Sequence, residues 1–194
     1  IARLPRPDRM VIVLDAAQAL GQIPVDVAAL GCDALVATCR KWLSGPRNNA
    51  LFWLGEKLGG AEAVAELTPT DANVALRLGL GTALAEARDI PARRARIARL
   101  REGAASALGD HPALQLQPGE TGALAITLAE DAAKRAEQAL AQAGIIAKFP
   151  NPARDEPAAP QPSPGTRMLR ITPNVYNTEA DIAALADTLV AALG

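Results

Sequence analysis

Four polar residues of different chemistry lie at the ends of two short apolar runs near the start of the chain. Asp15 offers a carboxylate, and Gln18, three residues further on, offers an amide. Thr38 and Lys41 add a hydroxyl and an amine at the end of the next apolar run. A carboxylate can favour the protonated form of a neighbouring base, and an amine can attack a carbonyl group. The residue types therefore suit a small-molecule site, although their spacing alone fits surface residues that merely end two strands equally well.

The two apolar runs are typical of strands in a parallel sheet that is buried on both faces. Residues 10–14 (MVIVL) and 34–38 (ALVAT) are continuous apolar segments, and a short helix at 26–30, with Gly31 placed to end it, lies between them. A third apolar run at 50–54 follows a polar turn. Because ligands of open α/β sheets bind outside the carboxyl ends of the strands, such a sheet would present the four polar side chains at a binding edge.

The rest of the chain alternates helices and strands. The pattern from 72 to 108 is helical with a break at Pro91, which suits the start of a second helix. A further helix is predicted at 131–142, and Thr178 opens the last helix with a capping pattern that Asp181 completes. Strands are predicted at 113–116, 124–128, 145–149 and 168–172.

These elements predict an α/β protein in three parts. Residues 1–69 form part of a parallel α/β domain, 70–108 a helical connector, and 109–194 a smaller α+β domain. Residues 150–164 contain six prolines, so they are predicted to be a surface loop. The first part has too few strands for a layered sheet of its own, and the sequence reads as though it begins in the middle of a domain.

Composition and charge argue against several classes of protein. Hydrophobic residues make up 49% of the 194 residues and aromatic residues 3%, which suits helices packed on a sheet. The net charge of −1 gives no field that favours nucleic acid or a membrane surface, and five arginines between 93 and 101 fit the solvated face of a helix. No apolar run reaches the ~18 residues of a membrane span. Two cysteines, Cys32 and Cys39, form no CxxC pair, so we expect a cytoplasmic protein without a metal site.

Two segments resemble the class V aminotransferase family, whose fold-type I enzymes use pyridoxal 5'-phosphate (PLP). The stretch LDAAQALGQIPVDVAALGCDALVATCRKWLSGPR is similar to the family's segment from the pyridine-binding aspartate to the Schiff-base lysine, and LRITPNVYNTEADIAAL is similar to its C-terminal signature. The residues that match the first segment, in order, are Asp15, Ala17, Gln18, Gly21, Val25, Asp26, Asp33, Thr38, Lys41, Gly45 and Pro46. The resemblance covers the whole chain but only about the second half of such an enzyme. It implies part of a fold-type I large domain followed by a small C-terminal domain, in a homodimer.

The resemblance also implies a role for each residue of the site. Asp15 would hold a proton on the pyridine nitrogen of PLP, and Gln18 would hydrogen-bond the phenolic oxygen of the ring. Lys41 would form the Schiff base with the cofactor and later move protons. Thr38 would help to bind the phosphate, and Arg40 would add positive charge there.

Substrate binding is expected to depend on an arginine near the C-terminus. Arg170 would bind the α-carboxylate of a small amino-acid substrate in a bidentate pair, and the alternative is a surface arginine at a strand end. Thr68 and Thr70 are both candidates for reaching the phosphate of a partner subunit. Trp42 is interpreted as a packing residue and His111, the single histidine, as a surface residue.

The sequence departs from the family pattern around Lys41. The turn that follows the lysine reads Gly-Pro-Arg-Asn-Asn-Ala, where the family commonly has Gly-Pro-Arg-Gly-Thr-Gly, and Cys39 stands where glycine is common. Asparagine tolerates positive φ better than most residues, so we expect the turn to survive. The family's phosphate-binding loop and ring-stacking residue come from the half that this sequence lacks. We therefore expect the 194 residues alone to bind PLP poorly and to associate.

The positions of the cysteines argue against one reaction of this family. Cysteine desulfurases of this family need a nucleophilic cysteine on a loop of the C-terminal domain, whereas no cysteine here follows Cys39, so a desulfurase is disfavoured. The combination of CRKWLSGPR, ANVALRLGLGTAL and a proline-rich loop before LRITP looks most similar to hercynylcysteine sulfoxide lyases of ergothioneine biosynthesis, which cleave a C–S bond in a cysteine-derived substrate. Class V aminotransferases and isopenicillin N epimerase-like enzymes remain alternatives. So does a non-catalytic remnant that serves in dimerisation or binding.

Overall fold

The computed structural model describes four stretches of the chain, residues 5–69, 73–119, 121–151 and 162–194. The chain divides into two compact units, residues 1–94 and 95–194. Each unit contains a three-stranded sheet with helices, which confirms the predicted α/β class. The finer division into three parts with a helical connector stays a prediction.

The first unit contains three strands and several helices. Its strands are β1 (Val13–Asp15), β2 (Ala34–Thr38) and β3 (Ala50–Leu54). Its helices are α1 (Val27–Leu30), a 3-10 helix (Glu56–Leu58), α2 (Gly60–Leu67), α3 (Val74–Glu86) and the start of α4 (Ile90–Leu108), which continues into the second unit. The bounds predicted for the second and third strands are confirmed, whereas the run at 10–14 forms a strand only from Val13.

The sheet of the first unit is mixed, and the prediction of a parallel sheet is correct for one strand pair only. β1 and β2 are parallel, with Asp15 opposite Val36, and α1 lies in the connection between them. β2 and β3 are antiparallel. The physical reason is the length of the turn at 39–49, because a parallel crossover needs a dozen or more residues and usually a helix. A short turn can only return the chain antiparallel.

One face of this sheet is buried and the other is exposed, so the prediction of strands buried on both faces is wrong. Leu35 and Ala37 point into an apolar cluster on the buried face. The opposite face carries exposed apolar side chains, with 59% of Val13 and 41% of Val36 accessible, and Phe52 pairs directly with Val36 on the same face. The continuous apolar runs therefore indicate strands that could be buried on both faces. In the described part of the chain, only one face of the sheet is covered.

A buried carboxylate holds the segment that leads into β1. Asp33 accepts hydrogen bonds from the Ile12 backbone N–H at 2.8 Å and from the Arg6 guanidinium at 3.1 Å. The hydrogen bond from the Ile12 N–H contributes most to lowering the pKa of Asp33. The positive charge of Arg6 lowers this pKa further. The side chain thus fixes the start of the strand whose end carries Asp15.

Replacing Asp33 by asparagine is expected to destabilise the protein at neutral pH and to change its response to acid. A carboxyl whose pKa is lowered by folding contributes stability above its unfolded value, here 3.8, and this contribution is lost as the pH falls through the folded value. The free energy of unfolding of the wild type should therefore fall more steeply below about pH 4 than that of Asp33→Asn. Urea unfolding at a series of pH values measures this, and parallel curves would contradict the assignment.

The second unit is built on an antiparallel sheet. Its further elements are β4 (Gln115–Leu116), β5 (Leu124–Ala129), α5 (Glu130–Gln142), β6 (Thr166–Ile171) and α6 (Glu179–Leu193), with the strands in the order β4-β5-β6. Its core is formed by buried apolar residues of the helices and strands, among them Leu100, Leu108, Ile126, Leu169 and Leu189.

The second unit tests two predictions from the sequence, the capping box of the last helix and the strand at 145–149. The capping box of α6 is confirmed, because Thr178 accepts from the Asp181 N–H and Asp181 accepts from the Thr178 N–H. The strand predicted at 145–149 is wrong, since this segment makes only a single bridge, between Lys148 and Arg170.

Among the helices that the structure describes, none combines the length and the hydropathy of a membrane span.

Candidate functional site

The carboxyl ends of β1 and β2 present two of the predicted site residues on one face of the sheet. Asp15 lies opposite Val36, and Thr38 lies two residues further along the same strand, so both side chains are on the exposed face. Asp15 is exposed, and its Oδ1 accepts the Ala17 N–H at 2.8 Å. Its second oxygen has no partner among the described residues. One carboxylate oxygen is therefore available to a ligand.

Gln18 lies in the turn that follows β1. The Ala19 and Leu20 N–H groups both donate to the Ala16 carbonyl, which closes the turn. The Gln18 side chain is exposed at this turn, and its Oε1 accepts the indole N–H of Trp42 at 3.0 Å. The amide is thus held by a residue that directly follows the predicted Schiff-base lysine.

A glycine allows the Gln18 turn to approach the backbone next to Lys41. Gly21 has a φ of +98°, and a Cβ at this position would lie 2.7 Å from the Leu43 nitrogen and 2.7 Å from the Trp42 carbonyl carbon. Such distances are too short for any side chain, and the positive φ also favours glycine. Gly21, one of the residues that carry the family resemblance, is required by this close approach.

Lys41 lies in a tight turn directly after β2. The Gly45 N–H donates to the Cys39 carbonyl at 2.8 Å, and the Ser44 N–H donates to the Lys41 carbonyl at 2.9 Å. The Lys41 side chain is half-buried, and in the part of the chain that the structure describes its amine has no hydrogen bond or ion pair. Arg40 is exposed beside it. The turn therefore presents an amine that has no partner among the described protein groups.

Arg93 connects the Gln18 turn to the Lys41 turn, and sequence reasoning missed it. Its Nε donates to the Gly21 carbonyl at 3.2 Å and its Nη2 to the Trp42 carbonyl at 2.5 Å. Arg93 is half-buried, and this burial lowers the pKa of its guanidinium. The side chain is a bridge between the two turns that carry the candidate residues Gln18 and Lys41, not part of a solvated surface.

The prediction of a solvated arginine face is wrong for two further residues. Arg96 forms an ion pair with Glu179, and the Nε of Arg101 donates to the Ala123 carbonyl at 3.2 Å. Only Arg94 and Arg99 of the five are exposed. A usable signal was present for Arg93, because it lies four residues before Ile97 and continues the buried stripe of Ile97, Leu100, Ala104 and Leu108.

The two asparagines of the turn after Lys41 stand where the family commonly has glycine (Asn48) and threonine (Asn49), and the turn is kept. Asn48 has a φ of +63°, which confirms that asparagine supports the left-handed conformation here. Asn49 donates its side-chain amide to the Leu76 carbonyl of α3 at 2.7 Å. Of the two threonines considered for a partner phosphate, Thr68 donates to the Val64 carbonyl at 2.7 Å, and Thr70 lies outside the described residues.

The thiol nearest to Lys41 is buried. Cys39 is 0% exposed, and burial raises the pKa of its thiol. Cys32 is buried too, and both cysteines are free. A nucleophilic cysteine needs a lowered pKa and access to the substrate, and Cys39 has neither.

Arg170, in the second unit, lies on β6 opposite Ala125 of β5. Its backbone also pairs with Lys148, so the residue is fixed from both sides of the strand. The Nε of its half-buried side chain is shielded from solvent and has no hydrogen-bond partner among the described residues. A buried guanidinium N–H without an acceptor is unfavourable, and a carboxylate is the acceptor that best matches it.

Two residues that the sequence assigned to packing or to the surface have defined contacts. Trp42 is 5% exposed and packs as predicted, but its donation to Gln18 was not foreseen. His111 is half-buried in a turn, where its Nδ1 accepts the Ala113 N–H at 3.2 Å. His111 therefore has a local structural role.

Comparisons with known proteins bear on this arrangement. Residues 1–59 match the profile of the family Aminotransferase class-V. The chain is 33% identical, over 214 aligned positions, to a curated protein of Mycobacterium tuberculosis described as a probable hercynylcysteine sulfoxide lyase, with 99% of this chain and 52% of the relative covered.

Solved structures show the same fold at lower identity. The cysteine desulfurase CsdA of Escherichia coli superposes with a TM-score of 0.77 and 23% identity, covering 95% of this chain and 52% of that one. The ureidoglycine-glyoxylate aminotransferase of Bacillus subtilis gives a TM-score of 0.68 and 18% identity, covering 94% and 52%.

The chain therefore spans about half the length of the relatives it matches. The profile match includes Asp15, Gln18, Thr38 and Lys41, and the superpositions extend the likeness over both units. The resemblance to class V aminotransferases and the fold-type I architecture are thus confirmed, and pyridoxal 5'-phosphate is the cofactor that this family implies.

Proposed function

We propose that the complete protein is a PLP-dependent enzyme that acts on an amino acid through Lys41 and cleaves the C–S bond of a cysteine-derived sulfoxide. The observation that carries the proposal is the Lys41 amine, which has no partner among the described residues and follows the carboxyl end of β2, while the neighbouring strand β1 ends in the exposed Asp15. The similarity to the probable sulfoxide lyase supports the choice of reaction.

The residues present fit PLP by the chemistry of their donors and acceptors. The free oxygen of Asp15 suits the pyridine nitrogen, and the amino group of Gln18 suits the phenolic oxygen. The Thr38 hydroxyl and the exposed Arg40 suit the phosphate. When bound, PLP supplies an electron sink that stabilises negative charge at the substrate Cα.

The remaining steps belong to side chains of this chain. Lys41 Nζ would hold the cofactor and then, once released, take the proton from the substrate Cα, as a desolvated amine can. Arg170 would bind the α-carboxylate, which satisfies its buried Nε. Loss of the Cα proton prepares departure of sulfur from Cβ, and no thiol of the protein is needed. The burial of Cys39 therefore agrees with a lyase and disfavours a desulfurase.

Three other functions are alternatives: two would use the same site, and the third would use no catalytic site. An aminotransferase or an isopenicillin N epimerase-like enzyme would share Lys41 and differ in where the proton returns. A non-catalytic remnant that serves in dimerisation is supported by the exposed apolar face of Val13, Val36 and Phe52.

We further propose that the protein forms a homodimer and functions in the cytoplasm, where its free cysteines stay reduced.

Borohydride reduction followed by peptide mass spectrometry tests the cofactor assignment. The pyridoxyl label is expected on Lys41 of the complete protein. Lys57 and Lys134 serve as internal controls, because Lys57 donates to the Asp8 and Met10 carbonyls and Lys134 pairs with Glu130. A label on another lysine, or none, would contradict the proposal.

Product analysis then separates the reactions. A lyase converts a cysteine S-oxide and water into a sulfenic acid, a keto acid and ammonia. An aminotransferase moves the amino group to an added keto acid, and an epimerase inverts Cα. A labelled Lys41 without any turnover would favour the remnant.

A further inference from the structure

The hydrogen bond between Trp42 and Gln18 determines which end of the Gln18 amide points outward. An indole N–H can only donate, so its partner must be the amide oxygen, which lies 3.0 Å away. A flipped amide would place two donors against each other. The amide amino group is therefore directed away from Trp42, and in the described part of the chain it has no protein acceptor.

Trp42 is itself held in place. Its ring is 5% exposed, and its carbonyl accepts from Arg93, which also binds the Gly21 carbonyl. The Gln18 backbone carbonyl accepts the side-chain amide of Gln22. The donor and the acceptor of the indole–amide bond are thus fixed through their backbones as well as through their side chains.

We infer that Trp42 is a positioning residue that orients the Gln18 amide so that its amino group donates to the phenolic oxygen of the cofactor. This inference rests on the proposed function, because it needs a cofactor at Lys41. A donated hydrogen bond stabilises a negatively charged phenolic oxygen and weakens its hold on the proton shared with the lysine nitrogen. Without the indole N–H, the amide can rotate and present its oxygen, which cannot donate.

A double-mutant cycle on the complete, cofactor-loaded protein tests this. The readout is the pH titration of the visible absorption band of the lysine-bound cofactor. Trp42→Phe and Gln18→Ala should each raise the apparent pKa by about 0.5–1 unit, the size of one neutral hydrogen bond. If Trp42 acts through Gln18, adding Trp42→Phe to Gln18→Ala should shift the titration no further.

Trp53→Phe is the matched control. It removes the chain's other indole N–H, from a half-buried position on β3 opposite Leu35, and leaves the hydrogen bond from Trp42 to Gln18 in place. Its titration should equal that of the wild type. Additive shifts in the double mutant, or an unmoved titration in Trp42→Phe, would overturn the inference while a labelled Lys41 left the cofactor assignment standing. A protein without any label at Lys41 would overturn both.

A second measurement does not depend on the folding of Trp42→Phe. In a nitrogen–proton NMR spectrum, sequential assignment identifies the indole N–H signal of Trp42, and Trp53→Phe identifies the signal of Trp53. Gln18→Ala should move the Trp42 signal and leave the Trp53 signal in place, with or without cofactor. An unmoved Trp42 signal would show that the bond to Gln18 does not form in solution, which overturns the inference.

Discussion

Replacing Lys41 by alanine in the complete protein is expected to lower turnover by at least about 10²–10⁴-fold, the factor that a positioned proton-transfer group contributes. The visible band of the lysine-bound cofactor should disappear as well, because among the described residues no other lysine lies in the turn that follows the carboxyl end of β2. Steady-state kinetics with a cysteine S-oxide and absorption spectra of the purified variant measure the two effects.

Lys148→Ala is the control for the loss of a lysine. Its side chain is exposed and its backbone pairing with Arg170 does not depend on the side chain, so turnover and spectrum should stay at wild-type levels. Lys41→Arg keeps the positive charge but cannot form the Schiff base, and it should be as inactive as Lys41→Ala. Turnover within a few-fold of the wild type in either Lys41 variant would exclude Lys41 from the reaction.

The parts of the fold that local patterns determine were predictable. The strands at 34–38 and 50–54 end where polar turns interrupt apolar runs, and Pro91 marks the first turn of α4. The orientation of β3 could have been derived, because the turn before it is too short for a crossover. The helix Gly60–Leu67 was missed, since a glycine at its first position argues against a helix.

The exposed face of the first sheet shows what the periodicity of a sequence cannot report. A continuous apolar run indicates that both faces of a strand are suited to burial, but it does not show what covers them. Val13 and Val36 are exposed on the same face as Asp15 and Thr38. The strand at 145–149 failed for a related reason, because a short apolar run becomes a strand only when a full ladder of partners is available.

Residue type and motif led to the candidate site residues, but not to the hydrogen bonds that hold them. Trp42 and Gln18 are separated by 24 residues, and Arg93 and Gly21 by 72. Such contacts depend on how the turns pack, which no local spacing encodes. The arginine was misread because its charge suggested solvent, whereas a guanidinium with two carbonyl acceptors can be half-buried.

Replacing Arg170 by alanine is expected to raise KM for the amino-acid substrate with a smaller effect on kcat. Loss of one partner of a buried charge pair costs about 2–5 kcal/mol, which corresponds to a rise in KM of roughly 30- to 4000-fold. The KM of Arg170→Lys should lie between those of the wild type and Arg170→Ala, because lysine keeps the positive charge but cannot form a bidentate pair. The free energy of unfolding should change little, since the Nε has no hydrogen bond to lose among the described residues.

Arg167→Ala is the matched control on the same strand. Arg167 pairs with Glu137 at 2.8 Å, and its guanidinium lies 5.0 Å from the centre of the Phe149 ring. Its side chain therefore has protein partners, whereas the Nε of Arg170 has none among the described residues. Its replacement should leave KM unchanged and reduce stability slightly. Michaelis–Menten kinetics and urea unfolding of the three variants decide the assignment. An unchanged KM in Arg170→Ala, or an equal rise in Arg167→Ala, would mean that the carboxylate of the substrate binds elsewhere.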